Sequence, residues 1–146
     1  MGVQWDGSSA FEKFSGPFDL VSVAGDQKAL LFDQGMLTAT LGAGTHTPST
    51  VPALAKAGPG AVLVMVGTGP QRGTFGSKGV TLTDGPLPGL MRHFGEFQCT
   101  IVQPDRFAMQ VLGGVDPLKA VGDMIGKLLD ACALEWIQGG YMTVVT

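Results

Sequence analysis

Charge is scarce in this sequence. Only 14% of its 146 residues are charged, well below the usual share of roughly a quarter. A fully solvated monomer carries more, so part of the surface is expected to be covered by a partner. What charge there is leans acidic: 9 Lys and Arg against 12 Asp and Glu give a net charge of -3. Lys and Arg form no cluster, which excludes the basic stripe that nucleic acid requires. Cysteine is limited to Cys99 and Cys132, too few for a disulfide framework. Both fall in apolar-patterned segments, and both are expected to be free and buried in a reducing compartment. The first residues, MGVQWDGSSAFEKF, lack the basic and apolar regions of a secretory signal. Asp6 stands where a myristoylation motif has Ser or Thr. The longest apolar run, Ala61 to Val66, is strand-sized and far short of a membrane-spanning helix.

Catalytic constellations are also missing from the linear sequence. No Cys/His spacing suits a metal. His93 and Cys99 share a strand face, but six residues separate them by about 20 Å in extended chain, too far for a nucleophile and its base. Ser49 and Ser77 have no His and Asp near them in sequence. Glu96 and Asp84 read as carboxylates on a solvated sheet face. No catalytic residue, cofactor site or metal site is expected.

Glycine and proline are plentiful instead, with 23 Gly and 9 Pro. They are dispersed as punctuation, which predicts many turns between short strands. Residues 1–16 are polar and Gly-containing and read as a loosely attached, flexible N-terminal segment, with room for a helical turn between Phe11 and Phe14. The remainder, 17–146, reads as one domain. FDLVSVA, QKALLFD and MLTATL, separated by Gly25-Asp26 and Gln34-Gly35, predict a three-stranded antiparallel meander. Residues 42–60 follow as an irregular loop, because Pro48 and Pro52 forbid a central strand. In it Thr45, His46 and Thr47 are the candidate ligand residues, although a lone loop histidine is expected to bond to local backbone. AVLVMVGT is a continuous apolar run bounded by glycines and reads as a strand buried on both faces.

Between Gln71 and Val111 lies the most informative stretch. Its glycines at 73, 76 and 79 lack the Lys-Ser/Thr ending and the following helix of a phosphate loop. VTLTD, the turn GPLPG and the long strand GLMRHFGEFQCTIV follow. On that strand Gly95 marks a bulge or a close backbone approach, and the face containing Phe97, Cys99 and Ile101 is the apolar one. Asp105 is the expected cap of a helix RFAMQVL, with Phe107, Val111 and Leu112 inward. Asp116 caps a second helix with Pro117 at its first position. Leu118, Val121, Ile125, Leu128, Leu129 and Cys132 form its expected inward stripe, and it runs to about Gln138. YMTVV is the expected terminal strand. The fold class expected is α+β: a twisted, mostly antiparallel sheet with two consecutive C-terminal helices packed on it.

Three stretches carry a resemblance to a known family: LLFDQGMLTATLGAGTHTPST, GTFGSKGVTLTDGPLPGLMRHFGEFQCTIVQPDRFAMQVLGG and DPLKAVGDMIGKLLDACALE. Together they span about Leu30 to Trp136. The chain resembles the SPFH, or band 7 (prohibitin/stomatin-like), domain, and within it the bacterial virion-core-protein-like branch. The resemblance implies a non-enzymatic cytoplasmic scaffold that forms homo-oligomers beside a membrane surface or a membrane-anchored partner. Members usually carry a membrane anchor or a long charged coiled coil. Neither occurs in these 146 residues, so a short homologue or a fragment is expected. Trp136 and Leu134, on the last helix, are the candidate interface residues. The alternative expectation is a small β-rich ligand- or peptide-binding domain that uses the 42–60 loop and a sheet edge.

Overall fold

A computed structural model describes residues 2–82 and 89–138. The strands are β1 (Gly2–Gln4), β2 (Phe11–Ser15), β3 (Leu20–Val23), β4 (Gln27–Asp33), β5 (Met36–Leu41), β6 (Gly44–His46), β7 (Val62–Gly67), β8 (Pro70–Gly76), β9 (Val80–Leu82), β10 (Gly89–Met91) and β11 (Phe94–Thr100). The helices are α1 (Pro52–Lys56), α2 (Pro104–Leu112) and α3 (Pro117–Gln138). The architecture is α+β with mostly antiparallel pairing and the two longer helices at the C-terminal end, as expected. The fold divides into two compact units, Met1–Gln71 with Cys99–Val115, and Arg72–Gln98 with Asp116–Thr146.

In the first unit one sheet has the order β2-β7-β4-β5, all antiparallel, and a second has the order β1-β3-β6. The interior strands β4 and β7 explain why their sequences are continuous rather than alternating. Ala29, Leu31, Leu63 and Met65 turn one way, into a core shared with Val3, Trp5, Phe18, Val21, Leu41 and Leu54. Leu30, Phe32, Val64 and Val66 turn the other way, onto Ala108 and Val111 of α2. Both faces are therefore dry from Ala29 to Phe32 and from Leu63 to Val66, where no polar residue stands, and the polar Gln27 and Lys28 of β4 are confined to its first two positions. The β4–β5 hairpin closes through Gln34 at φ 52° and Gly35 at φ 78°, the left-handed pair that a two-residue turn of this hand needs.

Several expectations are corrected in this unit. Residues 1–16 are not a loose tail. β1 pairs in parallel with β3, β2 pairs antiparallel with β7, and Val3 and Trp5 are buried. Phe11 and Phe14 lie on a strand, with the Phe11 ring packed edge-on at 5.7 Å from that of Phe107. The meander is incomplete, since β3 pairs with β1 and β6 and not with β4. The 42–60 segment contains β6 and α1 rather than loop alone. α2 begins at Gln103 and Pro104 with no side-chain cap, and Asp105 sits inside its first turn. There the proline's locked φ and missing N–H start the helix in place of a capping carboxylate.

The second unit pairs β8 with β11 and β9 with β10. The expected long strand is therefore broken at Arg92 and His93. Gly73 faces Phe97, Phe75 faces Gly95 and Gly76 faces Phe94, so β8 and β11 run in opposite directions. α3 starts as expected: Asp116 Oδ1 accepts from the N–H groups of Leu118 at 3.1 Å and Lys119 at 3.3 Å. Both Cys99 and Cys132 are free thiols, half-buried rather than buried. The expected strand YMTVV and Asp84 lie outside the described residues.

Candidate functional site

The residues expected to form a ligand loop stand on a well-satisfied turn. Thr45 and His46 belong to β6, opposite Ser22 and Val21. The His46 ring bonds to the Gly42 carbonyl through Nε2 at 2.7 Å, the local backbone bond expected of a lone loop histidine. Thr47 lies beyond the strand. Its hydroxyl sits 2.8 Å from that of Ser49, and its N–H donates to the Thr50 hydroxyl at 3.1 Å. The Thr50 hydroxyl in turn donates to the Thr47 carbonyl at 3.1 Å. These hydroxyls are occupied in shaping the approach to α1.

A second cluster was not legible in the linear sequence. Ser77, His93 and Asp130 meet in the second unit, although Ser77 had no expected His or Asp neighbour. Ser77 and His93 exchange bonds: the Ser77 N–H donates to the His93 carbonyl at 2.9 Å, and the His93 N–H donates to the Ser77 hydroxyl at 2.8 Å. The His93 Nδ1 lies 3.1 Å from Asp130 Oδ1, and the Gly79 N–H donates to Asp130 Oδ2 at 3.2 Å. Burial pushes the Asp130 carboxyl up. The Ser77 and His93 side chains, the Gly79 N–H and the His93 charge outweigh burial and hold it below its ordinary value. One carboxylate thereby ties α3 to both ends of the segment between β8 and β11.

The trio contains the residue types of a hydrolase triad without its geometry. In a triad the serine hydroxyl bonds to the imidazole nitrogen that the carboxylate leaves free. Here the Ser77 hydroxyl takes the His93 main-chain N–H, and Asp130 is the side-chain partner of the ring. Beside the cluster an open hollow of about 380 Å³ is lined by Gly76, Ser77, Lys78, Asp123, Lys127 and Asp130. Its cations and carboxylates balance, so it selects no ligand of one charge sign. Among the described residues no group of three or more His, Cys, Asp or Glu is placed to hold a metal.

The third feature is α3 itself. Its buried face is made of small residues: Gly122, Gly126 and Ala133. A Cβ at Gly122 would strike the Thr74 carbonyl, and one at Gly126 would lie 2.6 Å from the Gly76 carbonyl. The helix backbone thus sits directly on β8. Met124 and Leu128 stand two residues further on, about 200° around the helix. They are 61% and 62% exposed. Leu128 therefore points outward, not into the expected inward stripe, whereas Leu118, Val121, Ile125, Leu129 and Cys132 are half-buried. The candidate interface residues Trp136 and Leu134 are 47% and 38% exposed. They lie on opposite flanks of the helix, to either side of the Met124–Leu128 row. The Gly122-x-x-x-Gly126 spacing was the signal for this arrangement, since two glycines one turn apart mark the side of closest approach.

Among the described residues no helix is long and apolar enough to cross a membrane. Neither the family models, nor the curated proteins, nor the solved structures give a match to this chain.

Proposed function

We propose that this chain is a non-enzymatic scaffold module that self-assembles, with the outer face of α3 as its association surface. The observation that carries the reading is the exposure of Met124 and Leu128 on a helix already seated on β8 through its opposite face. A helix with one apolar face against its own sheet normally turns charge to the other. α3 turns outward a row of Ala120, Met124, Leu128 and Ala131, all exposed, interrupted by charge only at Glu135 and flanked by Asp123 and Lys127. The low overall charge supports the same reading. The resemblance to SPFH/band 7 domains adds the expectation of a cytoplasmic scaffold held at a membrane surface or by a membrane-anchored partner.

Light-scattering mass over a hundredfold concentration range, with and without anionic liposomes, tests both parts. A mass that rises with concentration supports self-assembly, and co-sedimentation with vesicles supports the membrane role. A constant monomer mass defeats the first, and a supernatant unchanged by vesicles defeats membrane-surface binding.

A further inference from the structure

We infer that two copies of the chain pair through α3 in an antiparallel, twofold arrangement, Met124 of one copy meeting Leu128 of the other and Asp123 meeting Lys127. This rests on the self-assembly reading and gives it an occupant and an orientation.

The charges select the orientation. Asp123 and Lys127 stand one turn apart on the same flank of the exposed row, and both are exposed. The ion pair found among the described residues joins His93 to Asp130, so Asp123 and Lys127 remain available. In a parallel twofold pairing the flank carrying Asp123 and Lys127 would meet the opposite flank of the other helix, where Val121, Ile125 and Cys132 stand, and neither charge would find a counter-charge. Reversing one helix about a twofold axis near residues 125–126 brings each Asp123 to the Lys127 of the other copy. The same operation sets Met124 against Leu128 twice. Symmetry doubles every favourable contact, as an isologous interface requires. The flanking Ala120 and Ala131 are short enough for helix axes to approach within the usual 8–10 Å. The apolar row supplies the affinity. The exposed ion pairs supply register and orientation, because surface pairs contribute little stability of their own.

Sedimentation equilibrium of the full chain at low salt tests the pairing. Met124→Glu and Leu128→Glu, both at exposed positions, are expected to abolish the dimer while circular dichroism stays unchanged. Asp123→Lys and Lys127→Asp are each expected to weaken it about tenfold by setting like charges together. The double exchange Asp123→Lys/Lys127→Asp restores opposite charges and is expected to return the dissociation constant to near the parent value. Single reversals without effect, or a folded double exchange that stays weak, would overturn the antiparallel pairing. Association that survives Met124→Glu and Leu128→Glu would overturn this interface and leave self-assembly standing elsewhere on the chain. A parent chain that stays monomeric throughout would remove both readings.

Discussion

The ring of Phe97 covers Gly73 across the β8–β11 pair, in the space that a β-carbon at Gly73 would occupy. The arrangement is reciprocal, since Phe75 covers Gly95 from the other strand. Each glycine lends its missing side chain to an aromatic neighbour. Two such pairs staple the strands on the face that also carries Gly122 of α3, where a Cβ would lie 3.6 Å from the Phe97 ring. Gly73→Ala forces the ring from its seat and is expected to destabilise the protein by about 1–3 kcal/mol, the usual scale of overpacking. Gly73→Ala/Phe97→Leu removes the clash and is expected to cost less than the sum of the two single changes. Urea denaturation of the four proteins checks this as a double-mutant cycle, and strict additivity would show that the ring and the glycine do not interact.

The helix side of the same unit sets two effects of opposite sign against each other. Replacing a mid-helix glycine by alanine ordinarily stabilises a helix by about 1 kcal/mol. At Gly126 the added Cβ would meet the Gly76 carbonyl at 2.6 Å, and a backbone atom cannot swing aside as a side-chain tip can. Gly126→Ala is therefore expected to destabilise by at least about 1 kcal/mol net, with overpacking exceeding propensity. Thermal melts followed at 222 nm distinguish the outcomes, because a raised melting temperature would mean that α3 does not sit on β8 this closely.

Trp5 provides a test in the first unit. It is 5% exposed, and its indole N–H is a buried donor with no acceptor among the described residues. Its carbonyl, by contrast, accepts from the Gln27 side chain at 3.2 Å. Trp5→Ala empties a core site and is expected to cost about 3–5 kcal/mol. Trp5→Phe keeps most of the apolar ring and removes the unpaired donor, whose burial is itself unfavourable by about 1–3 kcal/mol. It is expected to cost far less than the alanine change. Denaturant midpoints for the two variants check the ordering, and equal losses would mean that the indole N–H does have a partner.

These features differ in how far the linear sequence reveals them. The interior strands β4 and β7 are legible because two dry faces leave no room for polar residues at 29–32 and 63–66, and Asp116-Pro117 announces α3 by the chemistry of helix starts. The N-terminal strands are not legible, because β1 is three residues long and its partner β3 lies outside any local window. α1, with five residues, is too short to show a period. The outward turn of Leu128 is missed when residues are weighed by size, since the closest packing of α3 uses glycine. His93 and Asp130 are 37 residues apart, and only the folded chain brings them together.

The Asp130 cluster makes the stability of the second unit depend on acid in a defined direction. Burial raises the pKa of this carboxyl, yet the Ser77 and His93 hydrogen bonds, the Gly79 N–H and the His93 charge bring it below the ordinary 3.8. The folded form therefore binds this proton less readily than the unfolded chain. The resulting stabilisation is fully present above the unfolded value and is lost as pH falls through the lower folded value. Asp130→Asn keeps the shape but cannot take part in this linkage. The stability gap between parent and Asp130→Asn is expected to stay level from about pH 7 to pH 5 as far as this carboxyl is concerned, and to shrink below about pH 4. Urea titrations of both proteins across that range check it. A gap that widens on acidification would mean that the carboxylate is held above its ordinary value, and that burial rather than the Ser77, His93 and Gly79 contacts governs it.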